Sequence, residues 1–272
     1  MRYKDLFIDL DDTLYDTHGN SMIALKKLFD ERHWEKIMPS YEAFRDAYFA
    51  TNVDVWAKYA HGEIDRDTLI VERYRRPVTE MVKACGGDTS WITPEWCVAA
   101  SDRYGDIISR EPGIVPGAKE LLDYLKGKGY QLHICSNGFH EVQYRKLKSA
   151  GLEGYFSTVI LSEDAGANKP RKEFFDYAFS KTGARRETTI MIGDHYDTDI
   201  AGAINAALDT IFFNRWNVDP KTLDQQPNYI VDKLVDIEKI LEGNLTTDVR
   251  NALLDVVVDY TCALDRLDDY DY

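Results

Sequence analysis

Leu6-Phe7-Ile8-Asp9-Leu10-Asp11-Asp12-Thr13-Leu14 is an apolar strand that runs into two carboxylates two residues apart. A strand sets residues i and i+2 on the same side, so Asp9 and Asp11 face one direction. Held that close, the two acids repel, and each gains by protonation unless a divalent cation offsets the charge. The competing reading is a solvated turn after an edge strand. Three later stretches favour the first. Tyr130-Gln131-Leu132-His133-Ile134-Cys135 is followed by Ser136-Asn137-Gly138, a hydroxyl and an amide delivered where a strand should end. Asn168-Lys169-Pro170 puts one lysine ahead of a helical pattern over Glu173 to Lys181. Thr188-Thr189-Ile190-Met191-Ile192 runs into Gly193-Asp194-His195-Tyr196-Asp197-Thr198-Asp199, a strand followed by glycine and acids. Together they supply one set of groups suited to handling phosphate.

From Gly113 onward, short apolar runs alternate with helical stretches. Helices are predicted near Pro116 to Lys126, Glu141 to Ser149, Glu173 to Lys181 and Asp199 to Ala206. Strands are predicted up to Cys135, over Thr158 to Leu161, up to Ile192 and over Thr210 to Phe213. Such alternation implies right-handed βαβ units, hence a Rossmann-like α/β fold with a parallel sheet covered by helices on both faces. Ligands then bind at the carboxyl ends of the strands. Far more chain separates Asp9 from Cys135 than one crossover needs, so a helical cap is inserted there. Asn20 or Ser21 is expected to cap its first helix. Pro39-Ser40 opens a second, running towards Tyr59; Asp65 with Thr68 starts a third; Thr93-Pro94-Glu95 opens a fourth. The expected division is an α/β core over 1–16 and 113–243, a cap over 17–112, and a C-terminal helical extension with an acidic tail over 244–272. Trp34, Trp56, Trp91 and Trp96 all fall in the cap, where packing its core is the plain reading, and Trp56 with Tyr59 could offer an aromatic wall to a substrate.

The 272 residues, 44% of them hydrophobic, are enough for a sizeable core. No stretch approaches the length needed to span a bilayer and no signal-peptide pattern opens the chain, so a cytoplasmic protein is expected. Cys85, Cys97, Cys135 and Cys262 are scattered without zinc-ligand spacing and read as reduced thiols. Cys135 points away from Ser136 and reads as a core thiol. A net charge of −14 argues against a nucleic-acid polymer as partner. It leaves room for a small phosphorylated metabolite, attracted locally by a cation, Lys169 and helix-start amides. A monomer or homodimer is expected.

These four motifs, in this order, resemble the haloacid dehalogenase superfamily. Its phosphatase members use an aspartate nucleophile, a general acid/base aspartate two residues later, a Ser or Thr, a lysine and a terminal acidic pair. The resemblance extends to about Leu241. Ser136-Asn137-Gly138-Phe139, Glu163-Asp164-Ala165-Gly166 with Lys169-Pro170, and the stretch from Val55 to Ile64 look most like the noncanonical pyrimidine 5'-nucleotidases.

On that resemblance Asp9 is the nucleophile that becomes an aspartyl-phosphate. Asp11 is the general acid and then the base, and the Asp9 charge and partial burial are expected to raise its pKa so that it starts protonated. Ser136 and Asn137, the latter by its backbone or side-chain amide, contact phosphate, and Lys169 contacts both phosphate and Asp9. Hard oxygen ligands imply Mg²⁺, held by Asp9, the backbone carbonyl of Asp11, and Asp194. Asp199 stands behind these ligands with Asp197 as a competitor, and His195 is not expected to bind metal. Asp12 occupies a position where many relatives carry glycine. The resemblance implies a Mg²⁺-dependent phosphomonoester hydrolase acting on a pyrimidine nucleoside 5'-monophosphate. The alternatives are a sugar-phosphate or phosphoglycolate-type phosphatase, a phosphomutase, or a catalytically silent binding protein of the same fold. Cap closure is expected about hinges near Asp16 to His18 and Glu111 to Gly113.

Overall fold

The structure, a computed structural model, describes residues 2–243. Its strands are β1 (Asp5–Ile8), β2 (Gln131–Ser136), β3 (Thr158–Leu161), β4 (Thr189–Gly193), β5 (Asp209–Phe213) and β6 (Tyr229–Val231). They form one parallel sheet in the order β3-β2-β1-β4-β5-β6. The inner strands are buried on both faces, as a parallel sheet requires, and mostly apolar, with His133 of β2 a buried polar exception.

The helices are α1 (Thr17–Glu31), α2 (Tyr41–Ala60), α3 (Arg66–Ala84), α4 (Pro94–Ile108), α5 (Ala118–Gly127), α6 (His140–Ser149), α7 (Ser162–Ala165), α8 (Lys172–Thr182), α9 (Gly202–Asn205) and α10 (Asp236–Leu241). Alternate residues of each strand feed two apolar layers. Leu6 and Ile8 pack with Leu121 and Leu125 of α5, while Phe7, Met191 and Cys135 pack with Phe174 and Phe175 of α8. Cys135 is therefore a core thiol, as expected. Each such fully buried side chain contributes about 1.5–3 kcal/mol of transfer free energy.

Ile8 pairs with Ile134 on one side and Ile192 on the other, which brings the carboxyl ends of β2, β1 and β4 level. The order reverses between β1 and β4, the switch point where such sheets bind ligands.

The insertion between β1 and β2 is helical, α1 to α4. Ser40 accepts from Ala43 N at 3.1 Å, Asp65 from Thr68 N at 2.8 Å and Thr93 from Trp96 N at 3.3 Å, so three helix starts fall where the sequence placed them. The first does not. α1 begins at Thr17, because Asn20 and Ser21 are buried within it: Asn20 Nδ2 donates to Gly113 O and Ser21 Oγ meets the Tyr104 hydroxyl. Residues 199–206 are also not one plain helix. A π-helical turn, Tyr196–Ala201, precedes α9, with His195 Nδ1 accepting from Thr198 N at its start. β6 and α10 were not anticipated. The extension over 244–272 lies outside the described residues. No described helix is long and apolar enough to cross a membrane.

Candidate active site

Asp9 follows β1 directly, its N–H bonded to Ile192 O at 2.9 Å. Lys169 arrives from the loop ahead of α8 and is 1% exposed. Its ammonium donates to Asp9 Oδ1 at 2.7 Å, Asp199 Oδ1 at 2.7 Å and Cys135 O at 2.6 Å. Burial opposes its charge, but Asp199 and Asp9 more than compensate and hold the lysine protonated. Burial, opposed by Lys169 and reinforced by Asp199, Asp194 and Asp11, pushes the Asp9 carboxyl well above the usual range. One lysine does not neutralise this group of acids.

Asp194, one residue past β4, accepts from Thr13 Oγ1 at 3.0 Å and from Trp216 Nε1 at 2.9 Å. Burial and the charges of Asp199 and Asp12 push its carboxyl up to about 7. Asp199 reaches back from the π-helical turn, its Oδ2 accepting from His195 N at 3.1 Å. Gly193 permits this approach, since a Cβ there would lie 2.3 Å from Asp199 Oδ2. Oxygens of Asp9, Asp194 and Asp199 all lie within 4.8 Å of one another. Three buried hard-oxygen donors with unbalanced negative charge fit Mg²⁺. Asp199 thus stands among the candidate ligands rather than only behind them, although Lys169 and His195 already engage both its oxygens. Asp197 is outside the trio and pairs with His61 of the cap at 2.8 Å. His195 is exposed.

The ionisation expected for Asp11 is reversed. Burial alone would raise it, but the Lys146 ammonium beside it, with bonds from Thr17 and Gln143, holds the carboxyl below its ordinary value. Both oxygens are engaged, and the side chain lies outside the trio. The Asn137 side chain makes a reciprocal pair with the Lys169 backbone, Nδ2 to Lys169 O and Lys169 N to Oδ1, each 2.8 Å, which leaves its backbone amide and the second Nδ2 hydrogen to offer. Ser136 Oγ accepts from Gly138 N at 3.0 Å and Gln143 Nε2 at 2.6 Å, which leaves its own proton to donate. Asp12 takes φ +61°, a left-handed conformation that aspartate tolerates better than most residues, and pairs with Arg215 at 3.1 Å.

Sequence reasoning missed Gln143, Lys146, Thr13 and Trp216. Gln143 and Lys146 are one turn apart on α6, directly after the Ser-Asn-Gly turn, and that spacing was the available signal. Thr13 and Trp216 carried none. Gln143 and Lys146 border a cavity of about 640 Å³ that extends into the cap, where Trp56 lines it. Tyr59 packs against Trp56 and Phe139 and is not part of the wall. Trp34 and Trp96 pack together inside the cap.

The family model of haloacid dehalogenase-like hydrolases matches residues 3–207. The chain is 30% identical to the pyrimidine 5'-nucleotidase PynA of Streptococcus pneumoniae, over 90% of this chain and 98% of that one. It is 28% identical to the pyrimidine 5'-nucleotidase YjjG of Escherichia coli, over 89% and 99%. The crystal structure of the HAD-hydrolase YfnB of Bacillus subtilis, bound to magnesium and described as revealing interdomain movement, superposes with a TM-score of 0.76 at 28% identity, covering 89% and 99%. The motif order, the parallel sheet with its helical cap and these matches agree: this chain belongs to the haloacid dehalogenase-like hydrolases.

Proposed function

We propose that the protein is a Mg²⁺-dependent phosphomonoester hydrolase that works through an aspartyl-phosphate on Asp9, with a pyrimidine nucleoside 5'-monophosphate as substrate. The observation that carries the reading is the Asp9 carboxylate at the sheet's switch point, bonded to the buried Lys169 and grouped with Asp194 and Asp199. The similarity to PynA and YjjG, both named as pyrimidine 5'-nucleotidases, supports the substrate class.

Asp9, Asp194 and Asp199 are the residues that would hold Mg²⁺, which when bound supplies positive charge to the phosphate's equatorial oxygens. Ser136 Oγ–H, the Asn137 amide and Lys169 bind and orient the phosphate. A carboxylate oxygen of Asp9 attacks phosphorus, and the P–O bond to the leaving group breaks. Asp11, after taking up a proton from solvent, donates it to the departing alkoxide. Lys146 opposes this step, because Asp11 must take a proton against an adjacent ammonium. In the second half-reaction Asp11 is already the base: it accepts a proton from water, whose oxygen attacks phosphorus. The bond to Asp9 breaks and inorganic phosphate is released.

The test is phosphate release from phenyl phosphate, UMP, dUMP, dTMP, AMP and glucose 6-phosphate, with and without Mg²⁺. Mg²⁺-dependent turnover favouring the pyrimidine nucleotides is expected, falling by more than about 10³-fold in Asp9→Asn. Turnover retained in that variant would sink the nucleophile assignment; a sugar-phosphate preference would keep the mechanism and discard the substrate class.

A further inference from the structure

Arg73 of α3 is 6% exposed and, among the described residues, has no carboxylate partner. Its guanidinium sits among three phenol rings, 5.8, 5.5 and 4.9 Å from the centroids of Tyr48, Tyr74 and Tyr104. Nη2 donates to the Tyr48 hydroxyl at 2.8 Å, while the buried Nε has no acceptor. The other cations lining the cavity are engaged: Lys169 by Asp9 and Asp199, Lys146 by Asp11, Arg66 by Glu141 and Glu163, Arg145 by Asp106. A buried unpaired cation costs several kcal/mol, of which the aromatic faces recover part. In a chain of net charge −14, an arginine left without an acid is placed to meet something that enters.

Arg73 lines the same cavity as Asp9. So does Asn52 of α2, whose Oδ1 is buried without a partner. Tyr48, Asn52 and Trp56 recur every four residues and so share one face of α2. Val53, Trp56 and Ile70 of the cap add apolar surface to the same cavity wall. A cavity of about 640 Å³ has room for a nucleotide-sized ligand, well beyond the phosphate group alone.

We propose that Arg73, together with Asn52 of the same cavity wall, is the subsite for the part of the leaving group remote from phosphate, and that it takes the carbonyl edge of a planar heterocycle. The guanidinium supplies donors to carbonyl oxygens and the Asn52 amide pairs with the neighbouring ring position, while Trp56 covers a flat apolar face. A second anionic group fits less well, because Asp11, Asp12, Asp102, Glu141 and Asp197 also line the cavity. The proposal rests on the phosphomonoesterase reading and deepens it.

Two measurements separate the two. Titration calorimetry with uridine and with ribose needs no turnover. Uridine is expected to bind the wild type at least about tenfold more tightly than Arg73→Met, and ribose to bind neither. In kinetics, Arg73→Met is expected to raise KM for UMP at least about tenfold while kcat/KM for phenyl phosphate stays within about twofold. Uridine binding that ignores the substitution, or a parallel loss on phenyl phosphate, overturns the subsite. An Arg73-dependent preference for phosphoglycolate or a bisphosphate overturns the carbonyl assignment. If Arg73→Met does not fold, Arg73→Lys keeps the charge among the tyrosines and removes the fork; the same loss is expected at an unchanged melting temperature. Absence of phenyl phosphate hydrolysis by the wild type would reject the catalytic reading, and the uridine titration would still decide the subsite.

Discussion

Gln143 is fully buried on α6, and its Nε2 joins Ser136 to Asp11. Gly138 makes room for it, since a Cβ there would lie 2.1 Å from Nε2. Gln143→Leu keeps the volume but removes both bonds. It is expected to lower kcat on phenyl phosphate by about 10- to 100-fold, the usual cost of losing a group that orients site residues, with little change in Mg²⁺ affinity. An unchanged kcat would show that Asp11 and Ser136 hold their places without it. His133 of β2 acts on stability. Burial lowers its pKa from 6.5 against the opposing bond to Asp5, 3.1 Å from Nε2, so the native ring is neutral, its proton assigned to Nε2. The unfolded chain protonates this ring near pH 6.5 while the folded one resists. The contribution is therefore present above pH 6.5 and lost as pH falls through the lower folded value. In urea unfolding, His133→Phe is expected to lose stability less steeply than the wild type between pH 7 and 5; parallel curves would exclude the effect.

Strand ends were the legible elements, because an apolar run that stops at a polar residue announces both its direction and its cargo. Asp9, Ser136 and Asp194 were readable for that reason, and the cap's helix starts because Ser40, Asp65 and Thr93 are local signals whose bonds close within three residues. The misses are elements whose form depends on distant partners. α1 starts at Thr17 because Asn20 and Ser21 are drawn into tertiary bonds with Gly113 and Tyr104. The turn before α9 is wound as a π-helix while Asp199 is held by Lys169 and by the His195 amide. β6 has three residues and α10 six, too short for a period to show. The charge state of Asp11 failed for the same reason. Its pair with Lys146 joins residues 135 apart, and no local pattern announces such a contact.

Cap and core meet through two crossing segments and a clasp. The crossings are tied together where Tyr15 bridges Ile114 and Asp16 N donates to Gly113 O at 3.1 Å, at the places read as hinges. In the clasp, Arg66 at the start of α3 bonds Glu141 and Glu163 of the core at 2.6 Å each and lies 4.3 Å over the Phe139 ring, while His61 meets Asp197 at 2.8 Å. Exposed pairs of this kind are each worth only about 0.2–1 kcal/mol, enough to bias a cap between two positions without deciding whether the chain folds. The double variant Arg66→Ala/His61→Ala is therefore expected to unfold within about 2 kcal/mol of the wild type. Its radius of gyration in ligand-free solution scattering is expected to increase, and KM for UMP to rise several-fold, because part of the binding energy must then close the cap. High salt should bring the wild type towards the variant, since it screens the same pairs. Identical scattering and KM in the two proteins would mean that the remaining contacts, Phe139 with Val55 and Leu69, Arg145 with Asp106 at 3.3 Å and Asn168 Nδ2 with Tyr59 O at 2.7 Å, hold the cap without the clasp.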